Sequence, residues 1–251
     1  MVVSDVAPGR LYLARTPVDG LARAHGGKDE FLAAVCHELR CPLAAIQNAS
    51  RLLSSDVEPA ARLKAQVLME RQIRRMTQLL GDLQDLSRIS HGGLPLRRER
   101  LDLRSAVGNA IETLDSDIKA RDHQLTAVLP DAPLWVYADP LRLEQVFVNL
   151  LSNASKYTDA GGELTVRAHR QDDLAVVRIR DSGIGIAPEA LPFIFDLFRQ
   201  ADAGNPRSRS GLGIGLALVR DIVSLHGGRV TAASEGIGRG SEFAVQLPGE
   251  Y

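Results

Sequence analysis

Two long stretches near the start of the chain repeat their apolar positions at three- and four-residue steps. Phe31, Ala34, Val35 and Leu39 fall on one face of a helix predicted from Lys28 to about Ser54. Ser55, Asp56 and Pro59 mark a turn. A second helix follows from about Ala60 to Ile89, in which Met69, Ile73, Met76, Leu80 and Leu83 alternate four- and three-residue steps, the seam of a coiled coil or four-helix bundle. Pro42 has no N–H for the Glu38 carbonyl and predicts a kink one turn after His37. Such a hairpin carries an apolar stripe on each helix and too little surface of its own to bury both. The pattern therefore predicts a dimeric four-helix bundle through residues 28–90. The alternative is that the hairpin packs on the C-terminal half of its own chain.

His91, Gly92, Gly93 and Pro95 end the helical pattern, and residues 91–100 read as a hinge. From residue 101 to residue 250 the periods are mixed. Helices are predicted over 103–120, 140–156 and 216–226, and strands over 125–129, 134–138, 163–169, 174–180, 229–233 and 242–247. Pro140 opens one helix, and Gly227 and Gly228 close another. The fold class is α+β: an antiparallel helical hairpin, then an α/β sandwich with a mixed sheet and helices on one face. Residues 1–27 show no sustained period and read as a linker or the remnant of an upstream module.

Composition narrows the function. A formal charge of -1 and 4% aromatic residues offer neither the field nor the stacking surface that would select nucleic acid or an anionic membrane. No apolar run reaches membrane-spanning length, and Met1 to Arg10 lacks the regions of a signal peptide, so this stretch reads as cytoplasmic, without direct membrane contact. Cys36 and Cys41 sit five apart on one helix, point in different directions and read as reduced thiols. With His37 they do not converge on a metal from a straight helix.

Four features carry candidate chemistry. His37 lies between apolar helical positions and next to Glu38. An imidazole there presents one ring nitrogen to solvent while a neighbour holds the other, as a nucleophilic His requires. Asn149 and Asn153 are four apart on one helical face, with Lys156 one turn on; amide oxygens suit Mg2+ beside a polyphosphate, and the ammonium suits the phosphates. Asp181 ends a strand before Gly183 and Gly185, so a flat ligand could approach the backbone while the carboxylate accepts from an exocyclic amine, as in adenine. Gly211, Leu212, Gly213 and Gly215 lead into a helix whose N-terminus favours an anion. Each alone has a plainer reading as a solvated side chain or a turn.

In order, FLAAVCHELRCPL, NLLSNASKYT, DSGIGI, PFIFDLF and GLGIGLALV resemble the sensor histidine kinases of two-component signalling, over about residues 28–250. The resemblance implies that ATP phosphorylates His37, with Glu38 orienting the ring, and that the phosphoryl group then passes to an aspartate on the receiver domain of a response regulator. It implies Asn153 as Mg2+ ligand with Asn149 beside it, and Lys156 on the phosphates. Tyr157 would flank the nucleotide, Asp181 would read the adenine amine, and Gly183, Gly185, Gly211, Leu212, Gly213 and Gly215 would line the pocket. Phe195 and Phe198 would form the aromatic motif beside a lid at residues 199–210. It further implies a homodimer and an upstream sensor module outside this chain, in a protein that could be membrane-anchored.

Two positions depart from the family pattern. Cys41 stands where the family usually has Thr or Asn, a polar residue implicated in dephosphorylating the partner, and a thiol hydrogen-bonds poorly, which implies weak phosphatase activity. Leu212 stands where many members have Thr, in a turn that an apolar residue can serve. The competing readings are an ATPase of the same nucleotide fold without histidine phosphorylation, and a catalytically silent dimeric scaffold.

Overall fold

The structure is a computed structural model that describes residues 12–13, 28–54, 58–198 and 212–250. Two long helices come first, α1 (Lys28–Leu53) and α2 (Pro59–Ser90), packed on each other. Pro42 lies inside α1 and is buried. Of the apolar face predicted for α1, Val35 and Leu39 are half-buried, while the side chains of Phe31 and Ala34 lie outside the description. The α2 seam is only partly covered. Met69, Met76 and Leu83 are half-buried, but Ile73 and Leu80 remain about half exposed, at 51% and 49%.

The remaining elements form an α/β domain. In chain order they are β2 (Glu99–Asp102), α3 (Leu103–Lys119), β3 (Gln124–Val128), β4 (Trp135–Ala138), α4 (Pro140–Tyr157), β5 (Glu163–Gln171), β6 (Leu174–Asp181), a 3-10 turn at Leu191–Phe193, α5 (Gly215–Leu225), β7 (Arg229–Ala233) and β8 (Ser241–Pro248). Together with β1 (Tyr12–Leu13) they make a six-stranded sheet in the order β1-β7-β8-β6-β5-β3. The sheet is mixed: β3 runs parallel to β5, and the other neighbours are antiparallel. A separate ribbon pairs β2 with β4.

Two strands depart from the expected pattern. β2 begins at Glu99, inside the stretch expected to be hinge, because its alternation is short and its partner β4 lies far along the chain. Tyr12 and Leu13, in the stretch expected to be linker, pair with Ala232 and Thr231 of β7. Two residues carry no period, so only the sheet edge assigns them.

Helices α3 and α4 begin alike. Asp102 accepts from the Arg104 N–H and Asp139 from the Arg142 N–H, each capping its helix. Their buried faces then meet through Leu103, Val107, Leu143, Phe147, Leu150 and Leu151, all fully buried. Each such side chain contributes about 2 kcal/mol, so α4 is anchored firmly enough to hold polar groups in unfavourable places.

Candidate functional site

α4 holds one such group. Asn149 is buried on its inner side, and its Nδ2 is one of two buried side-chain polar atoms without a partner among the described residues, the other being His123 Nδ1. An unpaired buried donor costs about 1–3 kcal/mol, which the packing of α4 can sustain. Across from it is Gly215, the first residue of α5, where an added Cβ would stand 3.7 Å from Asn149 Oδ1. Unlike α3 and α4, α5 begins without a side-chain cap, so its first N–H groups remain for another acceptor. Asn153 is half-buried one turn after Asn149 on the same face.

Asp181 ends β6 close by. It is 5% exposed; Oδ1 accepts from the Gly183 N–H at 2.9 Å and Oδ2 from the Ser241 hydroxyl at 2.5 Å. Burial pushes its carboxyl above the usual carboxylate range, against the pull of the Ser241 and Gly183 hydrogen bonds. Glycine is required around it. At Gly183 a Cβ would lie 2.3 Å from the Tyr157 carbonyl oxygen, and at Gly185, with φ +69°, 2.0 Å from that of Gly236. The Tyr157 carbonyl also accepts from the Ile184 N–H at 3.0 Å, joining the end of α4 to the loop after β6. Lys156 Nζ donates to the Tyr157 hydroxyl at 3.0 Å and lies 4.5 Å from the centre of its ring.

The aromatic motif divides. Phe195 is buried edge-on against Phe243 at 6.2 Å, whereas Phe198 is partly exposed with φ 64°, and its N–H donates to the Gly213 carbonyl at 3.1 Å. That bond joins the segments on either side of residues 199–211. Leu212 is buried, and Gly213 has φ 65°. Gly211 and the expected lid at residues 199–210 lie outside the described residues.

His37 belongs to a different part of the molecule. It is exposed on α1, while the adjacent Glu38 is buried at 7% exposure and its Oε2 pairs with Arg75 Nη2 of α2 at 3.0 Å. Cys36 and Cys41 are both free and exposed. Among the described residues α1 packs on α2, without comparable packing on α4 or α5. The structure thus sets Asn149 beside Gly215 and Asp181 beside Gly183, ties the end of α4 to the loop after β6, and places His37 and Glu38 on the hairpin instead.

Sequence reasoning missed Ser241, Gly240 and Arg75. Gly240 has φ +69°, and a Cβ there would lie 2.0 Å from the Asp181 carbonyl oxygen. The alternating glycines 236, 238 and 240 before β8 were a readable signal of close backbone approach. Arg75 had none, since a cation on an exposed helical stretch is ordinary.

The orphaned Asn149 donor, the uncapped α5 and the glycines around Asp181 fit a nucleotide with an anionic end, and the Asn149–Asn153 amide pair fits Mg2+. No helix among the described residues is long and apolar enough to cross a membrane.

Comparison with known proteins supports ATP binding. Residues 27–92 match the His Kinase A (phospho-acceptor) domain, and residues 138–251 match the histidine kinase-, DNA gyrase B-, and HSP90-like ATPase family. The chain is 36% identical over 238 residues to histidine protein kinase DivJ of Caulobacter vibrioides, covering 94% of this chain and 39% of that protein. It is 41% identical over 228 residues to sensor histidine kinase TrcS of Mycobacterium tuberculosis, covering 87% of this chain and 43% of that protein. It thus spans about two fifths of the length of these relatives. Full-length ShkA in complex with AMPPNP superposes with a TM-score of 0.63 at 27% identity, covering 88% of this chain and 46% of that one. With a phospho-acceptor hairpin followed by an ATPase domain of this kind, the chain belongs to the sensor histidine kinases of two-component systems.

Proposed function

We propose that this chain is the transmitter core of a sensor histidine kinase, which transfers the γ-phosphoryl group of ATP to His37 and then to an aspartate on the receiver domain of a response regulator. One observation carries the reading: an exposed imidazole beside a buried carboxylate, joined through α2 to a domain whose cradle holds an unpaired buried amide. The names of DivJ and TrcS and the AMPPNP complex of ShkA support it.

Each residue has a task in that reaction. Asp181 accepts from the adenine amine while Ser241 and Gly183 hold its carboxylate in place. Asn149 Nδ2 and the α5 N-terminus donate to the phosphates, with Lys156, drawn off Tyr157, adding charge. Tyr157 flanks the nucleotide, and Gly183, Gly185, Gly211, Leu212, Gly213 and Gly215 shape the pocket. Bound at Asn153 with Asn149 beside it, Mg2+ would offset phosphate charge. One ring nitrogen of His37 attacks the γ-phosphorus, the bond to the β-phosphate oxygen breaks, and ADP departs. Glu38 takes the proton from the other ring nitrogen; with Oε2 held by Arg75, Oε1 is left for that work.

The half-exposed Ile73 and Leu80, with Leu43, Leu63 and Val67, support a homodimer through residues 28–90. The unit from residue 101 to residue 250 would bind ATP and residues 91–100 would set its position, below a sensor module in the longer protein.

Incubation with γ-labelled ATP and Mg2+ tests the reading. The expected result is acid-labile label on the natural chain and none on His37→Gln. Hydrolysis of ATP without covalent label would favour a plain ATPase and overturn the proposal.

A further inference from the structure

The contact between the hairpin and the ATP-binding domain is built from charge. Asp82 and Asp85, one turn apart near the end of α2, are only 9% and 7% exposed, an unusual burial for two carboxylates. Both face α4. Arg142 Nη1 pairs with Asp85 Oδ2 and donates to Gln145 Oε1 at 2.8 Å. Gln145 Nε2 donates to Asp85 Oδ2 at 3.0 Å and to Asp82 Oδ1 at 3.3 Å. Among the described residues the guanidinium pairs with Asp85, while Asp82 is met by the Gln145 amide, so with both carboxylates ionised the cluster holds an uncompensated negative charge largely away from water.

The surroundings do not relieve it. Gln78 and Gly81 of α2, Thr113 of α3, and Leu141, Glu144 and Val148 of α4 complete a cavity of about 370 Å3 beside Asp82, and Glu144 adds a further carboxylate. Burial accordingly pushes the Asp82 carboxyl up to about 6, with Gln145 lowering it and Asp85 raising it.

This cluster joins the ATP-binding domain to α2. A second fastening lies next to it: the Arg97 N–H donates to Asp139 Oδ2 at 2.8 Å, and the Arg98 guanidinium donates to the Leu225 carbonyl, so the connection after α2 is tied to the start of α4 and the end of α5. In this arrangement α5 touches α2, while α1, which carries His37, has no comparable packing on α4 or α5 among the described residues. Asn149 stands seven residues beyond Arg142 and on nearly the same face of α4. The helix that grips α2 is therefore the helix that must carry the nucleotide to His37.

We propose that Asp82, Asp85, Arg142 and Gln145 form a latch that holds the ATP-binding domain against α2 in a resting arrangement and must open before His37 is phosphorylated. This rests on the kinase reading above. A neutral Asp82 leaves Arg142 balanced by Asp85 alone and tightens the latch; an ionised Asp82 opposes Asp85 and loosens it. The latch weakens as pH rises through about 6.

Two readouts on the full chain test the latch: amide hydrogen exchange at residues 82–90, and autophosphorylation with Mg-ATP from pH 5.5 to 7.5. Arg142→Met and Gln145→Met are expected to speed exchange about tenfold and to raise autophosphorylation several-fold with nucleotide affinity retained. Asp82→Asn is expected to slow both at pH 7, with a variant-to-natural rate ratio that approaches one toward pH 5.5, where the natural side chain is protonated as well. Unchanged exchange in both loosening variants, or faster exchange with slower or unchanged autophosphorylation, overturns the latch. Should Arg142→Met fail to fold, Gln145→Met removes no charge and carries the test. Absence of label on the natural chain would sink the kinase reading alone, because exchange reports the latch without it.

Discussion

Ser241 and Asp181 face each other across the β6–β8 pairing, and the serine hydroxyl donates to Asp181 Oδ2 at 2.5 Å. Oδ1 is held by the Gly183 N–H, so one oxygen is positioned from the next strand and the other from the following turn. Removing the hydroxyl in Ser241→Ala leaves the buried carboxylate one donor short, a loss of about 1–2 kcal/mol that lowers nucleotide affinity roughly 5- to 30-fold. Asp181→Asn, which offers an amide to the adenine amine, is expected to lose more. Calorimetric titration with ADP and an ATP analogue checks both, and equal affinities for the natural chain and Ser241→Ala would remove this role.

Glycine positions should divide by backbone and space. Gly185→Ala meets the Gly236 carbonyl at 2.0 Å and keeps a left-handed φ of +69°, so it should cost about 2 kcal/mol or more and weaken nucleotide binding. Gly108, inside α3, has nothing within 4 Å of an added Cβ, and Gly108→Ala should stabilise by about 0.5–1 kcal/mol. Chemical denaturation of the two variants decides.

His226 predicts a pH dependence of stability. It is buried, its Nδ1–H donates to the Ile222 carbonyl at 2.8 Å, and its Nε2 accepts from the Asp139 N–H at 3.0 Å, which only the neutral ring can do. Burial holds its pKa below the ordinary 6.5, with Arg98 lowering it further against the Ile222 bond and Asp139. As pH falls below 6.5 the unfolded chain takes up the proton first, so stability drops from there down to the folded pKa and is unaffected at higher pH. Melting temperatures between pH 7 and 5 should fall more steeply for the natural chain than for His226→Gln.

The exposed α2 seam predicts the assembly. Replacing both Ile73 and Leu80 by Glu puts charge where the proposed dimer buries apolar surface, and light scattering should then report a monomer. Nucleotide binding should persist, since neither side chain is among the residues around Asn149 and Asp181. A dimer retained by the double variant would place the interface elsewhere.

Cys41 is free and exposed one turn beyond His37, at the position where the family resemblance leads one to expect Thr or Asn. Slow dephosphorylation of the response regulator is expected from the natural chain, and a rate several-fold higher from Cys41→Thr. If the two rates match, Cys41 has no bearing on that activity.

What the amino-acid sequence determined by itself was the order of elements and the chemistry each could offer. Apolar periods of 3.6 and 2 residues are local, so α1 to α5 and strands β3 to β8 were legible to within a residue or two, as was the start of α4 at Pro140. The strands β1 and β2 were not, because two to four residues hold no period and owe their conformation to β7 and β4. Nor could spacing find Ser241 against Asp181, Arg75 against Glu38, or Arg142 and Gln145 against Asp82 and Asp85, pairs separated by 37 to 63 positions. An isolated polar side chain looks solvated in a sequence. Only tertiary packing removes its water and so decides which partner must replace it.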